Sequence, residues 1–245
     1  MKNLGVIFKR ELGSYFATPL AYIFIVIFLV LAAVFTFYLG GFYESGQADL
    51  NAFFNFHPWL YLFLVPAVAM RLWAEERRNG SIELLLTLPV PLSAVVVGKY
   101  FAALGFSALA LSLTFPIWLS VNYLGNPDNG VILAGYLGSL MLAGGYLAIG
   151  SCVSACTRNQ VIAFVVSVVV CFLFTVSGAP LVIELFRGWA PAVLVDTLAG
   201  FSFLTHFRAI TGGVIDMRDL VFFVSLTGVF LTATAIIVDM KRGDS

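Results

Sequence analysis

Charge is scarce in this chain. Lysine, arginine, aspartate and glutamate make up 11% of its 245 residues, 13 basic and 13 acidic, so the formal net charge is zero. A soluble domain carries about 25% charged residues. The composition excludes an ordinary soluble fold, and the balance leaves no basic field to attract nucleic acid. Cysteine is scarce too. Cys152, Cys156 and Cys171 lie in or beside apolar runs, so no disulfide framework is implied. Cys152 and Cys156 share a helix face, which permits a metal pair, but no histidine or carboxylate stands nearby. Small buried side chains are the plainer reading.

Of the two histidines, His57 precedes Pro58 and is expected at the outer surface, and His206 is expected in an outer loop. Catalytic signatures are missing: there is no HExxH helix, no GxSxG elbow and no paired-carboxylate site. No GxxxxGK[ST] loop exists either, since Gly98-Lys99-Tyr100 lacks the leading glycine and the hydroxyl. The apolar runs hold almost none of the charge that ion-coupled carriers bury. The chain therefore reads as a non-enzyme with no catalytic residue, metal site or cofactor of its own. Energy for any uphill movement has to enter through a partner.

What the sequence has in quantity is apolar length. It is 61% hydrophobic with a mean hydropathy of +1.01. A helix needs about 20 mostly apolar residues to cross a bilayer. Runs at residues 20–40, 58–72, 94–123, 131–156, 161–183 and 220–238 predict six spans. The expected fold is an all-α polytopic membrane protein, a single transmembrane domain over residues 1–245. Thr18 and Pro19 offer a cap and a first-turn proline for the first span, which is too long for a signal-peptide core. Pro66 and Pro116 are placed to bend their helices. In the fourth run Ala134 and Gly138, then Gly135 and Ser139, are spaced by four, with Gly144, Gly145 and Gly150 following, a pattern that suits close helix approach.

Residues 3–16 are amphipathic. Leu4, Ile7, Phe8, Leu12, Tyr15 and Phe16 repeat at three and four, opposite Lys9, Arg10 and Ser14. This segment is expected along the membrane interface. Six spans put both termini on one side. That side collects Lys2, Lys9, Arg10, Arg71, Arg77, Arg78, Lys99, Arg158, Lys241 and Arg242, against Arg187, Arg208 and Arg218 on the other. The positive-inside rule places the termini in the cytoplasm. Residues 184–219 form an oddly apolar outer loop with room for one or two short helices, and they offer a surface to an extracytoplasmic protein partner.

The densest polar stretch interrupts the second and third runs: RLWAEERRNGSIELLLTLPVP, from Arg71 to Pro91. Such charge is expected to protrude into water. Within it SIELLLTL has helical spacing, with Ser81, Glu83 and Thr87 beside an apolar face. A short helix of that kind outside the membrane is a docking element.

Two motifs carry a family resemblance. WAEERRNGSIELLLTLPVPLSAVVVGK, residues 73–99, resembles the segment after the second span of permease subunits of ABC-2 type ATP-binding cassette transporters. HFRAITGGVIDMRDL, residues 206–220, resembles the segment before the last span in the branch that includes gliding-motility and nitrous-oxide-reductase-maturation permeases. The resemblance implies a coupling helix within residues 74–91 that seats in a separate cytoplasmic ATPase subunit, which would bind ATP and Mg. Glu75, Glu76, Arg77 and Arg78 would make polar contacts to it. Gly80 would allow the turn, Ser81 would cap the helix, Glu83 would favour its dipole, and Leu84 would lie on the docking face.

The 3–16 segment would be the connecting helix. A second permease subunit, identical or homologous, would complete the membrane part, surrounded by lipid of the bacterial cytoplasmic (inner) membrane. Substrate movement, as export, would follow at the interface of the two permease halves. The substrate-binding residues are unknown. The competing reading is a mechanotransmission scaffold that passes ATPase-driven motion to an extracytoplasmic partner and moves no substrate.

Overall fold

The computed structural model describes residues 2–80, 82, 90–187 and 190–241, and among them every regular element is helical. Helix α1 (Lys2–Phe16) precedes α2 (Pro19–Val34), which runs into a π-helical turn at Phe35–Leu39. Helices α3 (Asn51–Ala69) and α4 (Arg71–Asn79) are separated by Met70 alone. Next come α5 (Leu92–Ser112), α6 (Phe115–Leu124), α7 (Asn129–Cys156) and α8 (Gln160–Val176). Three short helices follow, α9 (Pro180–Arg187), α10 (Ala192–Gly200) and α11 (Phe203–Thr211), before the long α12 (Met217–Met240).

Local chemistry sets most of these ends. Pro19 opens α2, as its position predicted, although the Thr18 hydroxyl turns back to the Tyr15 carbonyl rather than capping the new helix. The Asp128 carboxylate accepts from Gly130 and Val131 N–H at the start of α7, Asn159 accepts from Val161 and Ile162 N–H at α8, and Asp216 accepts from Arg218 N–H at α12. Pro116 has no N–H to give the preceding turn, so the third apolar run breaks into α5 and α6, with the Thr114 hydroxyl taking the Leu111 carbonyl at 2.6 Å.

Five stretches are long and apolar enough to cross a membrane: Pro19–Leu39, Asn51–Asn79, Leu92–Leu124, Asn129–Cys156 and Met217–Met240. Two bent pairs add to them, α8 with α9 at 74° and α10 with α11 at 63°, so the crossings number five to seven. The chain is a multi-pass membrane protein. The fifth apolar run was expected to extend to residue 183, but its helix ends at Val176, because the chain turns at Ser177–Ala179 and Pro180 starts a new axis.

Helix α7 is the centre of the bundle, with α3, α5, α8, α11 and α12 packed around it. Its small residues admit this crowding. At Gly150 an added Cβ would collide with the Cβ of Ala69, so glycine is what lets α3 and α7 meet at that level. From the apolar loop expected outside, α11 packs into this core: Phe203, Leu204, Phe207 and Ile210 are all buried. His57, expected at the outer surface, is fully buried. Helix α3 begins at Asn51, so His57 lies well inside it, with Nδ1 2.9 Å from the Phe53 carbonyl oxygen and Phe28, Phe53, Phe54 and Tyr61 around the ring.

Candidate functional site

The charged run after α3 does not leave the bundle at once. Leu72, Trp73 and Ala74 are buried, and α4 lies against α7. The break at Met70 has a visible cause. In an unbroken helix the N–H of Trp73 and of Ala74 would bond back to the carbonyls of Ala69 and Met70. Here the Ser154 hydroxyl of α7 is inserted into that ladder. It donates to the Met70 carbonyl at 2.9 Å and accepts from the N–H of Trp73 at 3.2 Å and of Ala74 at 3.0 Å. The hydroxyl interrupts the backbone ladder locally, while Met70 stays in the helical conformation and α3 runs on into α4. One turn earlier on α7, Gly150 makes room for Ala69.

Trp73 locks α4 to the same helix. Its ring is fully buried, and Nε1–H donates to the Ser151 hydroxyl at 3.0 Å. The ring also faces Lys99 of α5, whose Nζ lies 5.4 Å from its centroid. Lys99 is 2% exposed and donates to two carboxylates, Glu76 of α4 at 2.8 Å and Glu11 of α1 at 3.1 Å. A lysine so buried has lost its water and needs such partners. Arg10 adds a second cation, 2.7 Å from Glu11. Burial alone would raise the Glu11 carboxyl, but Lys99 and Arg10 together overcome it and hold the group below its ordinary value. One ammonium thus ties three helices.

Two further contacts close the junction. Arg71 forms a two-point pair with Glu75 one turn on, Nε to Oε2 at 2.8 Å and Nη2 to Oε1 at 3.3 Å. Arg77 donates to the Ala155 carbonyl at 2.7 Å, and Lys241, just past α12, donates to the Cys156 carbonyl at 2.7 Å. Both cations sit on the last carbonyls of α7, which have no partner within their own helix and form its negative dipole end. A polar cavity of about 350 Å³ lies between α1, α4 and α5, lined by Arg10, Glu11, Arg71, Glu75, Glu76 and Lys99 among others. Gly80 then ends α4 in the left-handed conformation, φ 71°, a turn that a Cβ would disfavour.

The sequence-predicted residues therefore divide. Glu75, Glu76 and Arg77 make contacts within the chain, Arg78 is exposed, and Gly80 supplies a turn. Ser81, Glu83 and Leu84 lie outside the described residues. The amphipathic segment expected along the membrane interface forms α1, and its apolar side packs on α5: Tyr15 stacks on Phe106 at 5.3 Å, and Phe16 lies 5.8 Å from the same ring. Sequence reasoning did not pick out Glu11, Trp73, Ser151, Ser154 or the buried role of Lys99. The available signal was Lys99 itself, a lone cation in an apolar run, which has to find a carboxylate.

The described residues form an all-helical multi-pass bundle in which α4, a short charged helix, is packed against α7 and tied to α1 and α5. The family described as ABC-2 family transporter protein matches residues 15–178, and the chain belongs to it. It is accordingly a permease, the non-catalytic transmembrane component of an ABC transporter. The matched region contains α4, Lys99 and the whole of α7, and α9 to α12 lie beyond it. A search of curated proteins found no match.

Proposed function

We propose that the α4 junction is the receiving end of an ATP-driven machine. In this reading both termini and residues 74–91 face the cytoplasm of a bacterial inner membrane, and six spans cross it. A separate ABC ATPase, which binds ATP and Mg, seats the segment that follows Gly80. Motion of that segment reaches α4, and from α4 it reaches α1 and α5 through Lys99, α7 through Trp73 and Arg77, and α12 through the α7 end that Lys241 also holds. Two permease subunits and two ATPase subunits make the assembly, and the conformational cycle exports a substrate between the permease halves.

The observation that carries this reading is the Glu11–Lys99–Glu76 contact, because it joins the connecting helix to the segment leading to the ATPase by a charge too buried to be surface decoration. Glu75, Glu76 and Arg77 then position α4 as much as they meet the partner, and Arg78, Ser81, Glu83 and Leu84 supply the contact itself. The test is gentle purification of the tagged chain with its ATPase. Leu84→Asp is expected to reduce ATPase recovery, since a charge on the docking face is costly to desolvate. Unchanged recovery would remove that face assignment, and ATP-independent transport by the chain alone would remove the whole reading.

A second reading, transmission of motion to an extracytoplasmic protein without transport, is favoured by α12, which contacts the junction at Lys241 and the α10–α11 segment at Asp219. Substrate flux in proteoliposomes, measured beside ATPase activity, separates the two.

A further inference from the structure

At the end of α12 remote from Lys241, three helices meet around one imidazole. His206 of α11 points Nδ1 at Oδ1 of Asp219, in the first turn of α12, at 2.6 Å. Its Nε2 lies 2.9 Å from the carbonyl oxygen of Gly200, the last residue of α10. Phe222 stacks on the ring at 4.1 Å. Asp219 is 6% exposed, and its other oxygen, Oδ2, is buried with no hydrogen-bond partner among the described residues.

The proton count of this arrangement is fixed by its acceptors. A backbone carbonyl only accepts, so Nε2 must carry a hydrogen. A neutral imidazole has one ring proton. Its Nδ1 would then present a lone pair to a carboxylate oxygen at hydrogen-bond distance, two acceptors in contact. The observed geometry requires one more proton, either on Nδ1, giving an imidazolium, or on Asp219, giving a carboxylic acid that donates to Nδ1. Both forms hold the same number of protons. The geometry points to a proton-binding site: a single proton held between His206 and Asp219 closes a clasp that fastens α10 and α11 to the start of α12.

The surroundings leave the clasp to itself. On α10, Asp196 is one turn before Gly200 and exposed; Arg208 on α11 and Arg218 on α12 are exposed, and Asp216 caps α12. Behind α11, Tyr146 of α7 bonds Thr175 and stacks against Phe203, Cys171 of α8 is buried, and His57 of α3 sits among its own aromatic rings. Among the described residues none of these bonds the His206 ring. If the proton leaves, the imidazole keeps one ring hydrogen; on Nδ1 it still serves Asp219, and Nε2 then faces the Gly200 carbonyl without a hydrogen, so the contact to α10 is the one lost.

The sign follows directly. The closed state binds one proton more than the open one, so closing is favoured at low pH and weakens as pH rises. Helix α10 is the part set free. Its described side chains are mostly exposed, with Val195 the buried one among them, whereas α11 stays anchored by Phe203, Phe207 and Ile210 and by the Ser202 hydroxyl on the Thr175 carbonyl. On the topology proposed above, the clasp samples the extracytoplasmic compartment; its proton count does not depend on that topology.

Hydrogen exchange of the full chain in lipid nanodiscs tests this, from roughly pH 5.5 to 8.5. After correction for intrinsic chemistry, exchange in α10 is expected to rise up to about tenfold per pH unit above the transition, with α7 unchanged. The chain has two histidines, so ¹⁵N-histidine spectra compared with H206N assign His206, which is expected to be protonated on both nitrogens, or bonded to a protonated Asp219, at low pH. Asp219→Asn is decisive. Its amide can donate to Nδ1 of a neutral His206, so α10 should stay protected at every pH. His206→Phe should leave α10 fast-exchanging at every pH. A pH-independent α10 in the wild type, or a D219N variant that keeps the wild-type pH response, overturns the proposal. Should H206F not fold, the wild-type and D219N arms still decide.

Discussion

Lys99 and Glu11 stand 88 residues apart in sequence and 3.1 Å apart in space. The ammonium that joins them also holds Glu76, so the amphipathic first helix and the charged helix α4 share one buried cation. A sheared contact of this kind cannot rearrange in part: moving α4 changes what Lys99 offers to α1.

Lys99→Met is therefore expected to cost about 3–5 kcal/mol of stability, because it removes the buried cation that Glu11 and Glu76 share. Lys99→Met combined with Glu11→Gln and Glu76→Gln should recover much of that loss. Resistance to thermal unfolding in detergent reads both. A single variant as stable as the parent would show that the cation is not needed where it lies.

Ser154→Ala removes a hydroxyl that serves two N–H groups and one carbonyl at the α3–α4 break. The expected loss is about 1–3 kcal/mol, with faster hydrogen exchange confined to residues 70–77. Exchange spread evenly over the bundle would mean that the hydroxyl has no special hold on the break.

Gly80→Val places a branched side chain at φ 71°. Strain of about 1–2 kcal/mol is expected. Since α4 itself is held by other contacts, membrane insertion should be normal while ATPase stimulation or co-purification falls. Normal coupling in this variant would show that the direction of the chain after α4 does not matter.

Acid should loosen α1. The Glu11 carboxyl is held below its ordinary value in the folded chain, so it contributes stability above the unfolded value, and that contribution is lost as pH falls through the folded one. Exchange in residues 5–16 should accelerate at acid pH and lose that dependence in Glu11→Gln. This is opposite in sign to the proton-held contact at His206, so one titration should loosen the two ends of the molecule in opposite directions. Parallel behaviour of the two segments would contradict one of the assignments.

Much of the architecture was legible in the sequence, for physical reasons that can be named. Apolar length marks a membrane protein, Pro116 marks a bend, Pro19 opens the first long helix, and the turn that the family resemblance implied at Gly80 is present. Burial of polar groups was not legible. A run such as AEERRN reads as solvated because its neighbours in space, Ser151, Ser154 and the α7 carbonyls, come from about 80 residues away. His57 shows the same limit, since the aromatic rings that cover it include Phe28 from another helix. The early end of α8 was visible only as Gly178 and Pro180 inside an apolar run, where hydropathy outweighs turn signals.

Helix α12 is fastened near both tips, by Lys241 to the α7 carbonyls and by Asp219 to His206, over a length of about 36 Å. A rod pinned twice can bow, but it cannot spin about its long axis while both pins hold. Any rotation of this last helix about its axis therefore has to break contacts at both tips, an ammonium on backbone carbonyls at one and an imidazole on a carboxylate at the other.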